Sequence, residues 1–265
     1  MFMVLWEYDN AKIQIDDLPN GKRYITVNSL DQSRVIPTKN CVTSYPIELI
    51  EQILKIKGPD FLIDEIQRDE DRFYLEWRFR KNLFGFIPKS FFDNKKFLDF
   101  GCGCGASSMI LARMFPKSFI VGIDIADDLL SIAKLRAKYY GFTNCRFILS
   151  SENNLSTDLG DFDFIVLSAV YEHLLPNERK TLLPQIWSLL NPSGVLFIID
   201  IPHRYFPVEI HTTGLPLINY FPDRIALAVA RRWSKRVKFN ESWASLLRRG
   251  IRGGHSERDY ANFEQ

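Results

Sequence analysis

The apolar run "KFLDF" passes without a spacer into Gly101-Cys102-Gly103-Cys104-Gly105 and from there into the amphipathic "ASSMILARMF". Glycine at three alternate positions lets the backbone turn sharply and leaves no Cβ in the way of a close neighbour. The same order of elements then repeats. "SFIVGID", "CRFILS", "DFDFIVLSAV" and "GVLFIIDI" read as apolar strands, and "DDLLSIAKLRAKYYGF" and "NERKTLLPQIWSLL" as the helices between them. Apolar strands alternating with amphipathic helices specify a mostly parallel sheet covered on both faces. The spacing predicts a helix over 127–140, with Asp127 and Asp128 in its first turn and Gly141 as its stop. The expected fold class is α/β, a doubly wound, Rossmann-like sheet, and its glycine turn sits at the carboxyl end of the first strand, where such sheets bind ligands.

The rest of the 265-residue chain is arranged around that core. Residues 1 to about 45 carry short alternating stretches such as "AKIQI" and "RYITV" between turn signals, a β-rich lead-in. Ile47, Ile50, Ile53 and Leu54 predict a helix to Lys57, stopped by Gly58-Pro59, and a second amphipathic run extends from about Asp64 to Phe84. The expected division is an N-terminal extension (1–60), lead helices (61–95), the sheet domain (96–202), and a loop with a basic helical segment (203–265).

Composition excludes several classes: 46% apolar and 25% charged residues are those of a globular chain, and a net charge of +2 does not indicate a nucleic-acid binder. Cys41, Cys102, Cys104 and Cys145 lack CxxC pairing and read as free thiols. "MFMVLWEYDN" has no basic stretch ahead of its apolar residues, and no apolar run reaches the ~18 residues of a membrane span, so a cytoplasmic location is expected.

Charge decides what the glycine turn would hold. Gly101, Gly103 and Ala106 satisfy a loose dinucleotide fingerprint, but Asp99 just before them opposes a pyrophosphate, and the lysine of a P-loop is missing. S-adenosylmethionine has no phosphate and carries a sulfonium and an ammonium. "FLDFGCGCGASS" resembles the first motif of the class I S-adenosylmethionine-dependent methyltransferases, and the resemblance runs from about Phe97 to Ile201. "FDFIVLSAVYEHL" and "LLNPSGVLFIID" are similar to the ubiquinone-biosynthesis O-methyltransferase type. The resemblance implies that Gly101, Gly103 and Gly105 wall the methionine moiety, with Asp99 near its amino end. Asp124 would hold both ribose hydroxyls and Ile125 would pack on the adenine; Ser168 and either Ser151 or Glu152 complete the implied donor site. The ribose role also follows from chemistry, since a carboxylate offers two acceptors to a vicinal diol.

A hydroxyl acceptor needs a base. Among the four histidines, His173 follows a strand in "SAVYEHLLP", while His203 and His211 lie in the aromatic, proline-rich "IPHRYFPVEIHTTGLPLINYFP"; His255 is the fourth. His173, His203 and His211 are the catalytic candidates, and Glu172 reads as a structural carboxylate. No resident metal is expected, His203, Glu209 and His211 being a minor option without standard ligand spacing. From Arg224 to Arg252 nine basic residues face one acid, a local charge of +8. With "IALAVARRW" and "SWASLLRRG" this segment reads as a solvated helix face, or as a contact with anionic membrane. "RVKFN" is the one plausible strand after residue 203. The expected activity is methyl transfer to oxygen of a small or carrier-linked (lipid- or sugar-linked) acceptor, with no nucleic acid as partner. An NAD(P)-dependent oxidoreductase and a non-catalytic nucleoside-binding protein are the alternatives.

Overall fold

The N-terminal residues fold as an antiparallel meander, β1 (Met3–Glu7), β2 (Ala11–Asp17), β3 (Arg23–Ser29) and β4 (Lys39–Thr43), in that spatial order. The computed structural model describes residues 3–9, 11–29, 39–151, 155 and 159–254. Alternation along β2 sends Ala11, Ile13 and Ile15 to one face, where Ile25 and Val27 of β3 join them. Two helices share that core: α1 (Ile47–Lys57) through Leu49, Ile50, Ile53 and Leu54, and α2 (Pro59–Glu70) through Leu62, Ile63 and Ile66. Gly58, at φ 79°, ends α1 and leads directly into Pro59 at the start of α2. The border drawn at residue 60 therefore falls inside a helix.

The single amphipathic run expected over 64–84 is broken. α2 ends at Glu70, and Asp71 adopts an extended backbone, its carboxylate accepting from the Phe73 amide. A π-helical turn over Arg72–Glu76 then leads into α3 (Trp77–Phe84). Hydrophobic period survives such a break because the apolar stripe resumes in register, whereas the aspartate's capping bond starts a new helical segment.

The glycine turn is built into the next elements, β5 (Lys96–Phe100), α4 (Ala106–Met114), β6 (Phe119–Asp124), α5 (Asp127–Tyr140) and β7 (Cys145–Leu149). Helix α5 has the expected bounds, with left-handed Gly141 at its C-terminus. Strand β6 runs parallel to both β5 and β7, and Phe92, Phe97 and Phe115 stack beneath with ring centroids 4.9–6.1 Å apart. These elements belong to the first of two compact units, which ends at Leu149.

The second unit holds β8 (Phe162–Ser168), α6 (Pro176–Ser188), β9 (Leu190–Ile199), the two-residue strands β10 (Val208–Glu209) and β11 (Leu215–Pro216), α7 (Asp223–Trp233) and α8 (Trp243–Arg248). Strands β8 and β9 pair in parallel. Within the first unit the strand order is β7-β6-β5 and within the second β8 lies beside β9, parallel strands alternating with helices as the Rossmann-like α/β class requires. "RVKFN" is not a strand: it lies in turns after α7, and its Val237 is buried with Ile218, Ala226, Ala230, Leu246, Leu247 and Ile251. The β10–β11 hairpin forms a separate two-stranded sheet. Among the described residues no helix is long and apolar enough to cross a membrane.

Candidate functional site

The first unit shapes the glycine turn through backbone bonds. Gly101 and Cys102 both donate to the Ile123 carbonyl, at 2.9 and 3.0 Å, which ties the turn to the end of β6. Gly101, Gly103 and Gly105 all have positive φ. Two of them are required for opposite reasons. A Cβ on Gly105 would stand 2.6 Å from the Ala133 Cβ of α5, so glycine is needed there for packing. A Cβ on Gly103 would meet nothing within 4 Å, so its bare backbone borders open space that a ligand can enter.

Asp124 closes β6 at the rim of that turn. Its Oδ2 accepts from the Gly103 amide at 2.8 Å and its Oδ1 from the Ala126 amide at 3.0 Å. Each oxygen keeps a second lone pair, which is what a ribose diol requires. Ile125 beside it is 58% exposed, an apolar surface suited to cover by a flat ring. The residues present therefore fit a nucleoside.

Asp99 lies elsewhere than its charge suggested. It is buried beneath the turn, and its Oδ2 accepts from the Ser107 and Ser108 hydroxyls at 2.6 and 2.5 Å. Those serines begin α4, so the carboxylate fastens the helix start to the strand end; the pair "SS" in "GASS" is the signal that sequence reasoning passed over. Burial pushes the Asp99 carboxyl up from 3.8 to about 6, the nearby Asp124 charge adding to the rise and the two hydroxyls opposing it. A folded-state value above the unfolded one means that the native protein binds more protons, so this contribution to stability is full below about pH 4 and is lost as pH rises through 6. At about 1.36 kcal/mol per pH unit the loss is on the order of 3 kcal/mol. Asp99→Asn keeps an acceptor for the serines and removes the titration. The expected result is a melting temperature that no longer falls between pH 4 and 7 to the wild-type extent, read by thermal denaturation across that range.

Arg136 of α5 was not anticipated either. Fully buried, it donates to the Cys104 carbonyl in the turn at 2.9 Å and to the Glu65 carbonyl at 2.6 Å. Ser151 is exposed, and Glu152 lies outside the described residues.

In the second unit, Ser168 ends β8 and donates to the Asp200 carboxylate at 3.4 Å. A 3-10 turn, Tyr171–His173, follows and buries Glu172 completely. Neither Glu172 oxygen makes a hydrogen bond to another residue, and burial pushes its carboxyl up to about 7. His173 and His211 stand beside it with ring centroids 5.7 Å apart. The Nδ1 of His173 lies 2.6 Å from the Arg248 carbonyl, and that of His211 lies 2.8 Å from the Arg249 carbonyl. One ligand atom from each of Glu172, His173 and His211 lies within 4.8 Å of the others.

The trio His203, Glu209 and His211 is not assembled. Exposed His203 has its ring beside Tyr205. The Glu209 carboxylate is buried and accepts from the amides of His211, Thr212 and Thr213 and from the Thr213 hydroxyl, at 2.5–2.8 Å, so it shapes the loop. His255 lies outside the described residues. The basic segment is partly neutralised: Arg248 pairs with Glu178, Arg249 with Glu241 and buried Arg252 with Asp223. Arg224, Arg232, Lys235 and Lys238 are exposed, among exposed Ile225, Trp233 and Phe239.

Residues 91–221 match the family model described as a methyltransferase domain. An uncharacterized protein of Rickettsia prowazekii is 33% identical over 116 residues, 44% of this chain and 46% of the relative. Carboxy-S-adenosyl-L-methionine synthase 1 of Yersinia pseudotuberculosis is 27% identical over 114 residues, 42% of this chain and 47% of the relative. The match thus spans about half the length of these curated relatives. A solved structure described as PKMT2 from Rickettsia typhi in complex with AdoHcy is 29% identical over 40% of this chain and 21% of that one, with a TM-score of 0.38.

Proposed function

We propose that the chain carries an S-adenosylmethionine-dependent methyltransferase domain and that it transfers the donor's methyl group to a hydroxyl oxygen of a small or carrier-linked metabolite. The observation that carries the donor half is Asp124, whose two oxygens are each fixed by one backbone amide beside the open backbone of Gly103. Asp124 would hold the ribose diol, Ile125 the adenine, and the glycine turn with the start of α4 the methionine end, whose carboxylate suits a helix N-terminus.

When bound, the donor supplies an electrophilic methyl group on sulfur. In-line transfer forms an O–CH3 bond as the S–CH3 bond breaks, with the electron pair left on sulfur and the hydroxyl proton passed to a base. The ring Nε2 atoms of His173 and His211 are the groups of the second unit suited to that proton, because each Nδ1 is committed to a carbonyl. The exposed apolar and basic residues of α7 and the stretch after it support an acceptor carried on an anionic or lipid-like group.

Titration calorimetry with S-adenosylhomocysteine and, separately, NADH tests the donor half without an acceptor. Micromolar binding of the first and none of the second is expected; the reverse, or binding of neither, would remove the proposal. Transfer of a labelled methyl group to a panel of free, lipid-linked and carrier-linked hydroxyls then tests the oxygen assignment, which label appearing only on nitrogen or carbon acceptors would contradict.

A further inference from the structure

We infer that Glu172, His173 and His211 form a binding site for one divalent first-row transition-metal ion of the zinc type. The tautomers are preset. Each Nδ1 faces a main-chain carbonyl, Arg248 for His173 and Arg249 for His211, so each must carry its proton there and present the Nε2 lone pair. Orientation of a ligating imidazole by a hydrogen bond from its other nitrogen is how protein metal sites set donor geometry. Here two consecutive carbonyls at the end of α8 serve two rings at once.

The third group supplies the charge. Glu172 is 0% exposed and neither of its oxygens makes a hydrogen bond to another residue; its nearest imidazole nitrogen is His173 Nε2 at 3.8 Å. A buried carboxylate without a hydrogen-bond partner is an expensive arrangement for a fold to hold, and a cation between it and the two imidazoles would remove that expense. Packing keeps the three together. Gly250, at φ +85°, lies where a Cβ would stand 2.8 Å from the His211 ring and 3.1 Å from the Glu172 Cγ, so only glycine lets the main chain close over the cluster.

The donor set and its span select the ion. Two imidazoles and one carboxylate suit Zn2+, Co2+ or Mn2+, whereas Mg2+ and Ca2+ favour oxygen-only shells. Bonds of about 2.1 Å place two ligands of a tetrahedral ion about 3.4 Å apart, so ligand atoms that all lie within 4.8 Å of one another would close by at most about 1.4 Å around it. Three protein ligands leave a coordination position open, as in catalytic zinc sites, and an ion there would lower the pKa of a coordinated hydroxyl. With the ion bound, both Nε2 lone pairs are ligands and no longer the base named for the metal-free site; the ion would polarise the acceptor hydroxyl, whose proton then passes to solvent. The site itself is independent of the donor reading, since metal uptake is measured without turnover.

The test uses the 265-residue chain without a histidine tag, stripped with chelator and titrated with Zn2+ and with Mg2+, and with Co2+ as an absorbance probe. One equivalent of Zn2+ with micromolar or tighter affinity is expected, together with the visible bands of Co2+ bound to nitrogen and oxygen, and no tight Mg2+ binding. Glu172→Gln, nearly isosteric, and His211→Asn are each expected to weaken Zn2+ at least about 100-fold, while His203→Asn leaves it unchanged. Zn2+ should raise the melting temperature of the wild type but not of Glu172→Gln, and the melt also shows that each variant is folded. Absence of stoichiometric Zn2+ binding by the wild type, or equal loss in His203→Asn, would overturn the assignment while leaving the S-adenosylhomocysteine result standing.

Discussion

Replacing Asp124 with alanine is expected to reduce the affinity for S-adenosylhomocysteine by about 100- to 10,000-fold, measured by calorimetry at constant salt. Two hydrogen bonds from a ribose diol to a charged acceptor are worth about 1.5–3 kcal/mol each, and 1.4 kcal/mol is a factor of ten. The variant also releases the Gly103 and Ala126 amides, which loosens the turn that borders the ligand. Asp124→Asn separates the two effects. An amide retains one acceptor oxygen, so it can hold one backbone amide but cannot accept both ribose hydroxyls; an intermediate loss of roughly 10- to 50-fold is expected. An affinity within threefold of wild type in the folded alanine variant would show that this carboxylate does not bind the nucleoside.

The second large effect is on stability. Arg136→Met should destabilise the first unit by about 3–5 kcal/mol, the usual consequence of removing one partner from a buried charge cluster. Arg136 is the cation between Glu65, at 3.1 Å, and Asp69, at 3.9 Å, and these acids are themselves buried. Without it Glu65 keeps Lys57 at 3.7 Å, and Asp69 keeps the Tyr45 hydroxyl at 2.5 Å. The pH dependence identifies the cause. A buried carboxylate that has lost its cation is costly only while charged, so a deficit caused by stranded charge shrinks as pH falls and grows as pH rises. Thermal melts at pH 5 and 8 should therefore show a larger deficit at pH 8. An equal deficit at both would point to lost packing around the methionine rather than to stranded charge.

These two residues mark how far the sequence reaches. The glycine turn, Asp124 at the end of its strand and the bounds of α5 are legible because each rests on neighbours a few residues away: left-handed glycines, a strand-ending carboxylate, acids at a helix start and Gly141 at its stop. The alternation of strand and helix has the same local origin, and it yielded the α/β class. The burial of Asp99 is half legible. Its serines are 8 and 9 residues away and visible in "GASS", but nothing local says whether a carboxylate at a strand end points outward to a ligand or inward to a helix.

Contacts of longer range were decided by the tertiary structure. Arg136 reaches its turn carbonyl across 32 residues and Glu65 across 71, so its spacing within α5 shows only a basic residue on an amphipathic helix. The histidines show the same limit. Sequence grouped His203, Glu209 and His211 because they are close in one loop, whereas the fold turns Glu209 onto its own backbone amides and brings His211 to His173 and Glu172. Their tautomers are set by carbonyls 75 and 38 residues along the chain. The break at Asp71 escaped for the opposite reason, because one side chain bonding to a nearby amide outweighed a hydrophobic period that continued through it. Sequence by itself thus determined what the chain builds locally, the parallel-sheet framework and the turn with its carboxylate. Which buried charges meet, and which histidines share a site, follows from the packing of distant segments, whose partners no local propensity encodes.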